Sequence, residues 1–149
     1  MGTYPVTDLA EYLRGAWHLA RDIVDADGAA LGTFTGTAEF TPQDDELHYH
    51  EQGELRLAEH QGRASRSLRY HPEEPARCTV WFADGHFFHD LRLDTGTWEV
   101  RHPCRADLYY GYFEVTGNDQ WQQHWRVAGP EKAYEMTTTF TRPTTAGRR

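Results

Sequence analysis

The chain has 149 residues and a net charge of −8, with Lys132 as its only lysine. This length fits one domain with a substantial core, and the acidity argues against a nucleic-acid partner, because phosphate binding requires a basic surface. Two cysteines are too few for a disulfide scaffold, and no apolar run is long enough to span a membrane, so we expect a cytoplasmic protein.

The first predicted element is a short helix from Thr7 to Leu13. Thr7 is a suitable N-cap, and Gly15 follows the helix as a stop signal. Leu9, Tyr12 and Leu13 fall on one side, so we expect the helix to pack against the β structure and plug one end of it.

Ten short strands are predicted after the helix, separated by turns rich in Gly, Pro, Asp and Asn. Such a succession favours antiparallel up-and-down order, and closing the sheet into a barrel removes its exposed edges. We therefore expect one all-β barrel over residues 1–142 and a disordered tail over residues 143–149. The candidate strands are Ala16–Val24, Leu31–Phe40, Glu46–Ala58, Arg63–Tyr70, Arg77–Phe82, His86–Leu93, Thr97–Cys104, Asp107–Thr116, Gln120–Val127 and Ala133–Arg142.

A Gly-x-Trp at Gly15–Trp17, together with Arg142 at the end of the last strand, resembles the calycin superfamily of lipocalins and fatty-acid-binding proteins. The resemblance implies that Arg142 packs over Trp17, bonds carbonyls of the N-terminal segment and latches the barrel. More specifically, the chain is similar to an uncharacterised bacterial calycin-like family of unknown function, which implies an interior of ligand size but no known activity. The resembling stretches are Trp17–Arg21, Tyr49–Gly53, Phe82–His89, Cys104–Tyr109 and Trp125–Lys132.

Glu51 is the most informative residue, because it interrupts an otherwise apolar face of the strand Glu46–Ala58. Side chains alternate faces along a strand, so Glu51 shares the inner face with Tyr49 and three leucines. A buried carboxylate needs a partner or a ligand. Arg21 shares the inner face of the first strand with Trp17, and it is the first candidate partner. The pair can be a structural salt bridge, or Glu51 can be a ligand anchor or general base.

The following hairpin offers further partners for Glu51. With a turn at residues 59–62, Tyr70 lies opposite Glu51 and Arg66 shares the inner face. A one-residue bulge would bring Arg69 inward instead, and the choice between the two arginines stays open.

A second hairpin, with Thr95-Gly96 at its tip, gathers histidine and cysteine. A symmetric register places His89 directly across from His102, with Cys104 one pleat away and Phe87 also facing inward. A hydrogen-bonded core cluster is the preferred interpretation of the three residues. The alternatives are a zinc or haem site, and a cysteine nucleophile at Cys104.

These residues lead to three functional hypotheses that share one fold. In the first, the barrel binds a polar aromatic or carboxylated small molecule without a cofactor. In the second, Glu51 or His89 is the base of a cofactor-independent isomerase, cyclase or hydratase. In the third, the polar interior only fixes the strand register. A homodimer is left open. The residues assigned to the ligand are Arg21, Tyr49, Glu51, Tyr70, His89, His102, Cys104, Tyr109 and Trp125.

Overall fold

The computed structural model describes residues 4–143, so the predicted tail lies, apart from Pro143, outside the described residues. One short helix, α1 (Leu9–Leu13), precedes ten strands, which confirms the predicted number and order of strands. The second and fourth strands extend three or more residues beyond their predicted bounds. The strands are β1 (Gly15–Asp25), β2 (Ala30–Gln43), β3 (Glu46–Leu57), β4 (His60–Glu74), β5 (Arg77–Phe82), β6 (Phe87–Arg92), β7 (Thr97–Cys104), β8 (Asp107–Gly117), β9 (Gln120–Ala128) and β10 (Ala133–Thr141).

The ten strands form one antiparallel sheet in the order β6-β5-β4-β3-β2-β1-β10-β9-β8-β7. Strands consecutive in the chain pair with each other except β6 and β7, and β1 pairs with β10. The sheet curls into a nearly closed barrel, which confirms the predicted fold class. The outermost strands β6 and β7 are joined by a turn but share no backbone ladder, so the barrel has a seam between them. The predicted ladder between His89 and His102 is therefore wrong.

The plug helix is shorter than predicted, and its cap is Asp8 rather than Thr7. The Asp8 carboxylate accepts a hydrogen bond of 3.1 Å from the backbone N–H of Glu11, which satisfies one of the free donors of the first turn. Leu9 and Leu13 are fully buried beneath the barrel. The helix therefore closes this end, as its apolar side predicts.

Arg142 and Trp17 form the latch that the resemblance implies. The Arg142 guanidinium lies 3.7 Å from the centre of the Trp17 ring. It donates to the carbonyl oxygens of Ala16, at 3.0 Å, and Tyr12, at 2.5 Å. The Trp17 indole N–H donates to the Leu13 carbonyl. One cation thus ties the last strand to the helix and to the first strand.

Aromatic side chains fill the barrel at the helix end. Trp121 stacks on Phe140 with ring centres 4.2 Å apart, and both side chains are fully buried. Burial decreases toward the opposite end along β1 and β10, where Ile23 and Tyr134 are only partly covered. The polar residues of the interior lie between this aromatic core and the more exposed end.

Candidate functional site

A bidentate ion pair between Arg21 and Glu51 crosses the interior of the barrel. The two terminal nitrogens of Arg21 donate to the two carboxylate oxygens of Glu51 at 2.9 and 3.0 Å. The Nε of Arg21 donates to the hydroxyl of Thr138 on β10 at 2.8 Å. The Tyr49 hydroxyl donates to Glu51 at 2.5 Å. Arg21 thus donates three hydrogen bonds inside the barrel, and Glu51 is only 3% exposed.

The hydrogen-bond and charge partners of Glu51 lower its pKa by more than burial raises it. Burial alone would raise the pKa of this carboxyl, but the hydrogen bonds from Arg21 and the charge of Arg66 lower it below its usual value. Glu51 is therefore ionised at neutral pH. A carboxylate with a lowered pKa and saturated oxygens is a weak general base, so this arrangement favours the structural interpretation of the pair.

This pKa predicts how stability depends on acid. A carboxyl whose folded-state pKa is depressed contributes stability above its unfolded pKa of ~4.3, and this contribution is lost as the pH falls through the folded value. We expect the difference in unfolding free energy between the wild type and Glu51→Gln to be constant near pH 7 and to shrink below about pH 4. Urea unfolding of both proteins from pH 7 to pH 3 measures it. A difference that grows on acidification would contradict the assignment.

Arg66 is the inward-facing arginine of the two left open by the sequence. It lies opposite Glu51 in the β3–β4 ladder, with Nη2 3.7 Å from the carboxylate. Arg69 instead pairs with Glu46 at 2.7 Å. The side chain of Arg66 remains 44% exposed. Two arginines thus share one carboxylate, which leaves one positive charge in excess at this position.

Tyr70 does not lie opposite Glu51 as predicted. The β3–β4 turn consists of Ala58 and Glu59 only, since Leu57 pairs with His60, and Tyr70 therefore pairs with Leu47. The Tyr70 ring packs edge-on against Phe40 at 5.0 Å in the aromatic core. The inner face of Tyr70 was predicted correctly, but its position along the barrel axis was not.

An interior cavity of about 40 Å³ adjoins the two arginines. Trp125 forms part of its wall and lies against β8 where Gly111 provides the space, because a Cβ on that glycine would lie 2.7 Å from the indole. The indole N–H of Trp125 donates to the Gln123 amide oxygen at 2.9 Å. The cavity is lined by Arg21, Arg66, Phe88, Tyr109, Gln123, Trp125, Met136 and Thr138.

A bulge in β6 decides which side chains enter the cavity from that strand. Val80 pairs with His89 and Trp81 with Phe87, so Phe88 is the extra residue. Phe88 and His89 both point to the interior and are buried, whereas Phe87 is 45% exposed. The prediction that Phe87 faces inward is therefore wrong.

His89 and His102 lie on the two sides of the seam and both contact the Phe88 ring, whereas Cys104 does not join them. The His102 ring lies 5.2 Å from the Phe88 ring and 6.2 Å from the Tyr109 ring, while Cys104 is exposed at the end of β7. Within residues 4–143, no three His, Cys, Asp or Glu side chains are grouped so that they could hold a metal ion. The geometry thus gives no support to a metal shared by His89, His102 and Cys104.

The structure adds residues to the site that the sequence analysis did not assign to it. Gln123 and Thr138 lie on faces that alternation places inward, but nothing in their type marks them as site residues. The inward assignment of Phe87 implies that Phe88 faces outward, and only the bulge turns Phe88 to the interior. Nothing in the sequence marks the position of this bulge.

The fold is a nearly closed antiparallel up-and-down β-barrel of ten strands with buried aromatic side chains. The chain belongs to the family of unknown function DUF6314, whose model matches residues 13–142. No curated protein matches the chain at a significant level. No helix among residues 4–143 has the length and apolar character needed to cross a membrane.

Solved structures show the same fold at low sequence identity. An S-type phycobiliprotein lyase from Guillardia theta superposes with a TM-score of 0.65 at 10% identity, over 91% of both chains. A protein of unknown function from the DUF3598 family of Nostoc punctiforme gives 0.65 at 13% identity, over 95% of this chain and 51% of that one. The structure of EF1p2_mFAP2b bound to DFHBI gives 0.52 at 14% identity, over 93% and 99%.

Proposed function

We propose that the protein binds a small planar aromatic carboxylate in the barrel, with Arg66 holding the carboxylate and Trp125 lying against the ring. The single observation that carries this proposal is the excess positive charge beside an aromatic-walled cavity. Arg21 and Arg66 bring two charges, Glu51 neutralises one, and the cavity opens between them. A charge of this kind attracts an anion, and an arginine fork matches a carboxylate.

Arg66 replaces Arg21 in the anion-binding role that the sequence suggested. Arg21 already donates three hydrogen bonds, two to Glu51 and one to Thr138. Arg66 approaches Glu51 only to 3.7 Å and keeps close to half of its side chain exposed. A ligand carboxylate at Arg66 therefore breaks no strong existing hydrogen bond.

The aromatic wall supports a flat apolar body for the ligand. Phe88 and Trp125 lie nearly parallel, with an interplanar angle of 19° and ring centres 5.3 Å apart. A cavity of about 40 Å³ has room for about three water molecules, which is less than one aromatic ring needs. A ligand ring must therefore take the place of Phe88 against Trp125, and Phe88 must move toward the seam.

The barrels of similar fold support the proposal only in general terms. EF1p2_mFAP2b was solved bound to DFHBI, so a barrel of this fold accommodates a small molecule. Identity of 14% carries no residue of that site to this chain. The choice of an aromatic acid rests on the side chains of this protein.

Titration calorimetry with 2-naphthoate and its neutral analogue 2-naphthalenemethanol tests the proposal. We expect the wild type to prefer the carboxylate, and Arg66→Met to weaken 2-naphthoate binding by about 10- to 100-fold, because a hydrogen bond to a charged group contributes about 1.5–3 kcal/mol. Arg69→Met is the control, since Arg69 pairs with Glu46 away from the cavity. Equal losses in both variants, or no binding by the wild type, would contradict the proposal.

One observation favours a second candidate, a barrel whose polar interior only fixes the register. The oxygens of Glu51 accept three hydrogen bonds within the chain, which a purely structural residue would also require. This candidate predicts no binding of either naphthalene probe. The same titration therefore separates the two candidates.

A further inference from the structure

His89 is a buried side chain that uses one of its two ring nitrogens in a hydrogen bond within the protein. Its Nδ1 lies 2.6 Å from the carbonyl oxygen of Asp90, and a carbonyl only accepts, so Nδ1 carries the proton. The side chain is 5% exposed, and burial lowers its pKa to about 4, so the imidazole is neutral at physiological pH. Nε2 therefore presents a lone pair. Within residues 4–143 the only fully buried side-chain nitrogen or oxygen without a hydrogen-bond partner is Nε1 of Trp121, so Nε2 is accessible from outside the protein.

His89 lines a groove of about 350 Å³ that follows the seam between β6 and β7. The groove exists because these strands share no ladder. The other polar groups of β6 at the groove are already bound. The Asp90 carboxylate pairs with Arg77 at 2.7 Å, and the Asp90 carbonyl also accepts from the Trp98 indole at 2.8 Å.

Phe88 separates this groove from the interior cavity and lines both. The ring contacts the rings of Phe82, His89, His102 and Trp125. The bulge places it on a strand edge that has no partner strand on the seam side. Once the Phe88 ring moves, the cavity beside Arg66 and the groove beside His89 become one space.

We infer that the seam groove is a second subsite of the same binding site, in which Nε2 of His89 accepts a hydrogen bond from a hydroxyl or N–H group of the ligand. This inference rests on the proposed function and narrows the class of ligand. The ligand is a planar aromatic acid with a hydrogen-bond donor at the end remote from its carboxylate. Its carboxylate binds Arg66, its ring lies on Trp125, and its donor reaches His89.

The test compares 6-hydroxy-2-naphthoate with 6-methoxy-2-naphthoate, which cannot donate, and with 2-naphthoate. We expect the wild type to bind the hydroxy acid about 3- to 10-fold more tightly than either reference, as one neutral hydrogen bond provides. His89→Leu should remove this preference. His50→Leu is the control, because the exposed His50 on β3 contacts Ser67 at 2.9 Å and lines neither the groove nor the cavity, so it should keep the preference.

A measurement on the unaltered protein covers the case in which His89→Leu does not fold. The nitrogen NMR signal of His89 Nε2 should move to lower frequency with the hydroxy acid and stay in place with the methoxy acid. A preference that survives in His89→Leu, a preference lost in His50→Leu, or an unmoved Nε2 signal would overturn the subsite. If 2-naphthoate binds through Arg66 while the hydroxyl adds nothing, only the subsite fails. If no naphthoate binds the wild type, the proposed function fails as well.

Discussion

Replacing Arg21 by methionine should lower the free energy of unfolding by about 3–5 kcal/mol, the effect expected when a buried ion pair loses one partner. Glu51 would keep the Tyr49 hydroxyl and the longer contact to Arg66, but it would lose two hydrogen bonds of about 3 Å. The remaining carboxylate would be buried with much less compensation. Urea denaturation at pH 7 measures the loss.

The double variant Arg21→Met, Glu51→Leu separates the stability gained from the ion pair from the cost of burying an unpaired carboxylate. Removing both charges leaves no orphaned carboxylate, and an apolar pair in a buried site is often as stable as the ion pair it replaces. We expect the double variant to recover more than half of the loss caused by Arg21→Met. If the stability loss in the double variant equals the sum of the losses in Arg21→Met and Glu51→Leu, the two side chains do not stabilise each other, contrary to the geometry. The penalty of Arg21→Met should also decrease near pH 4, because the orphaned carboxyl can then take up a proton.

Trp17→Ala is the second substitution expected to have a large effect, about 3–5 kcal/mol, because the indole is fully buried. Its ring contacts the Arg142 guanidinium at 3.7 Å, and its centroid lies 6.2 Å from that of Trp121. The substitution opens a cavity beneath the helix and removes the surface on which Arg142 lies. Thermal and urea unfolding measure the loss of stability.

Trp81→Ala is the matched control for this deletion, since Trp81 is only partly buried and lies outside the core. Trp81→Ala should lower the free energy of unfolding clearly less than Trp17→Ala. Arg142→Met should fall between the two, because it removes two hydrogen bonds to carbonyl oxygens and one cation–π contact but opens no large cavity. Equal effects of the two tryptophan substitutions would contradict the role of Trp17 as the latch.

The sequence predicts the strands and most inner faces because both depend on local patterns. Alternation places Arg21, Glu51 and Trp125 inside without knowledge of pairing, and the turn residues delimit the strands. The latch follows from a resemblance, and the contacts of Trp17 and Arg142 agree with it. These predictions do not require knowledge of which residues lie opposite each other on neighbouring strands.

The errors arise where a shift of one residue in strand register changes which side chains are neighbours. Alternation places Tyr70 inside, but only the length of the β3–β4 turn decides that it pairs with Leu47 and that Arg66 pairs with Glu51. Phe87 and Phe88 are equally apolar, so sequence cannot decide which is the extra residue of the bulge. The seam depends on the curvature of the whole sheet, since the β6–β7 turn by itself favours an ordinary hairpin.

A crystal structure of the protein with bound 2-naphthoate tests the central claim most directly. We predict the carboxylate within hydrogen-bonding distance of Arg66, the naphthalene against Trp125, the Phe88 ring displaced toward the seam, and the pair of Arg21 and Glu51 intact. A naphthoate found only on the outer surface, or a bound carboxylate that displaces Glu51 from Arg21, would contradict the account.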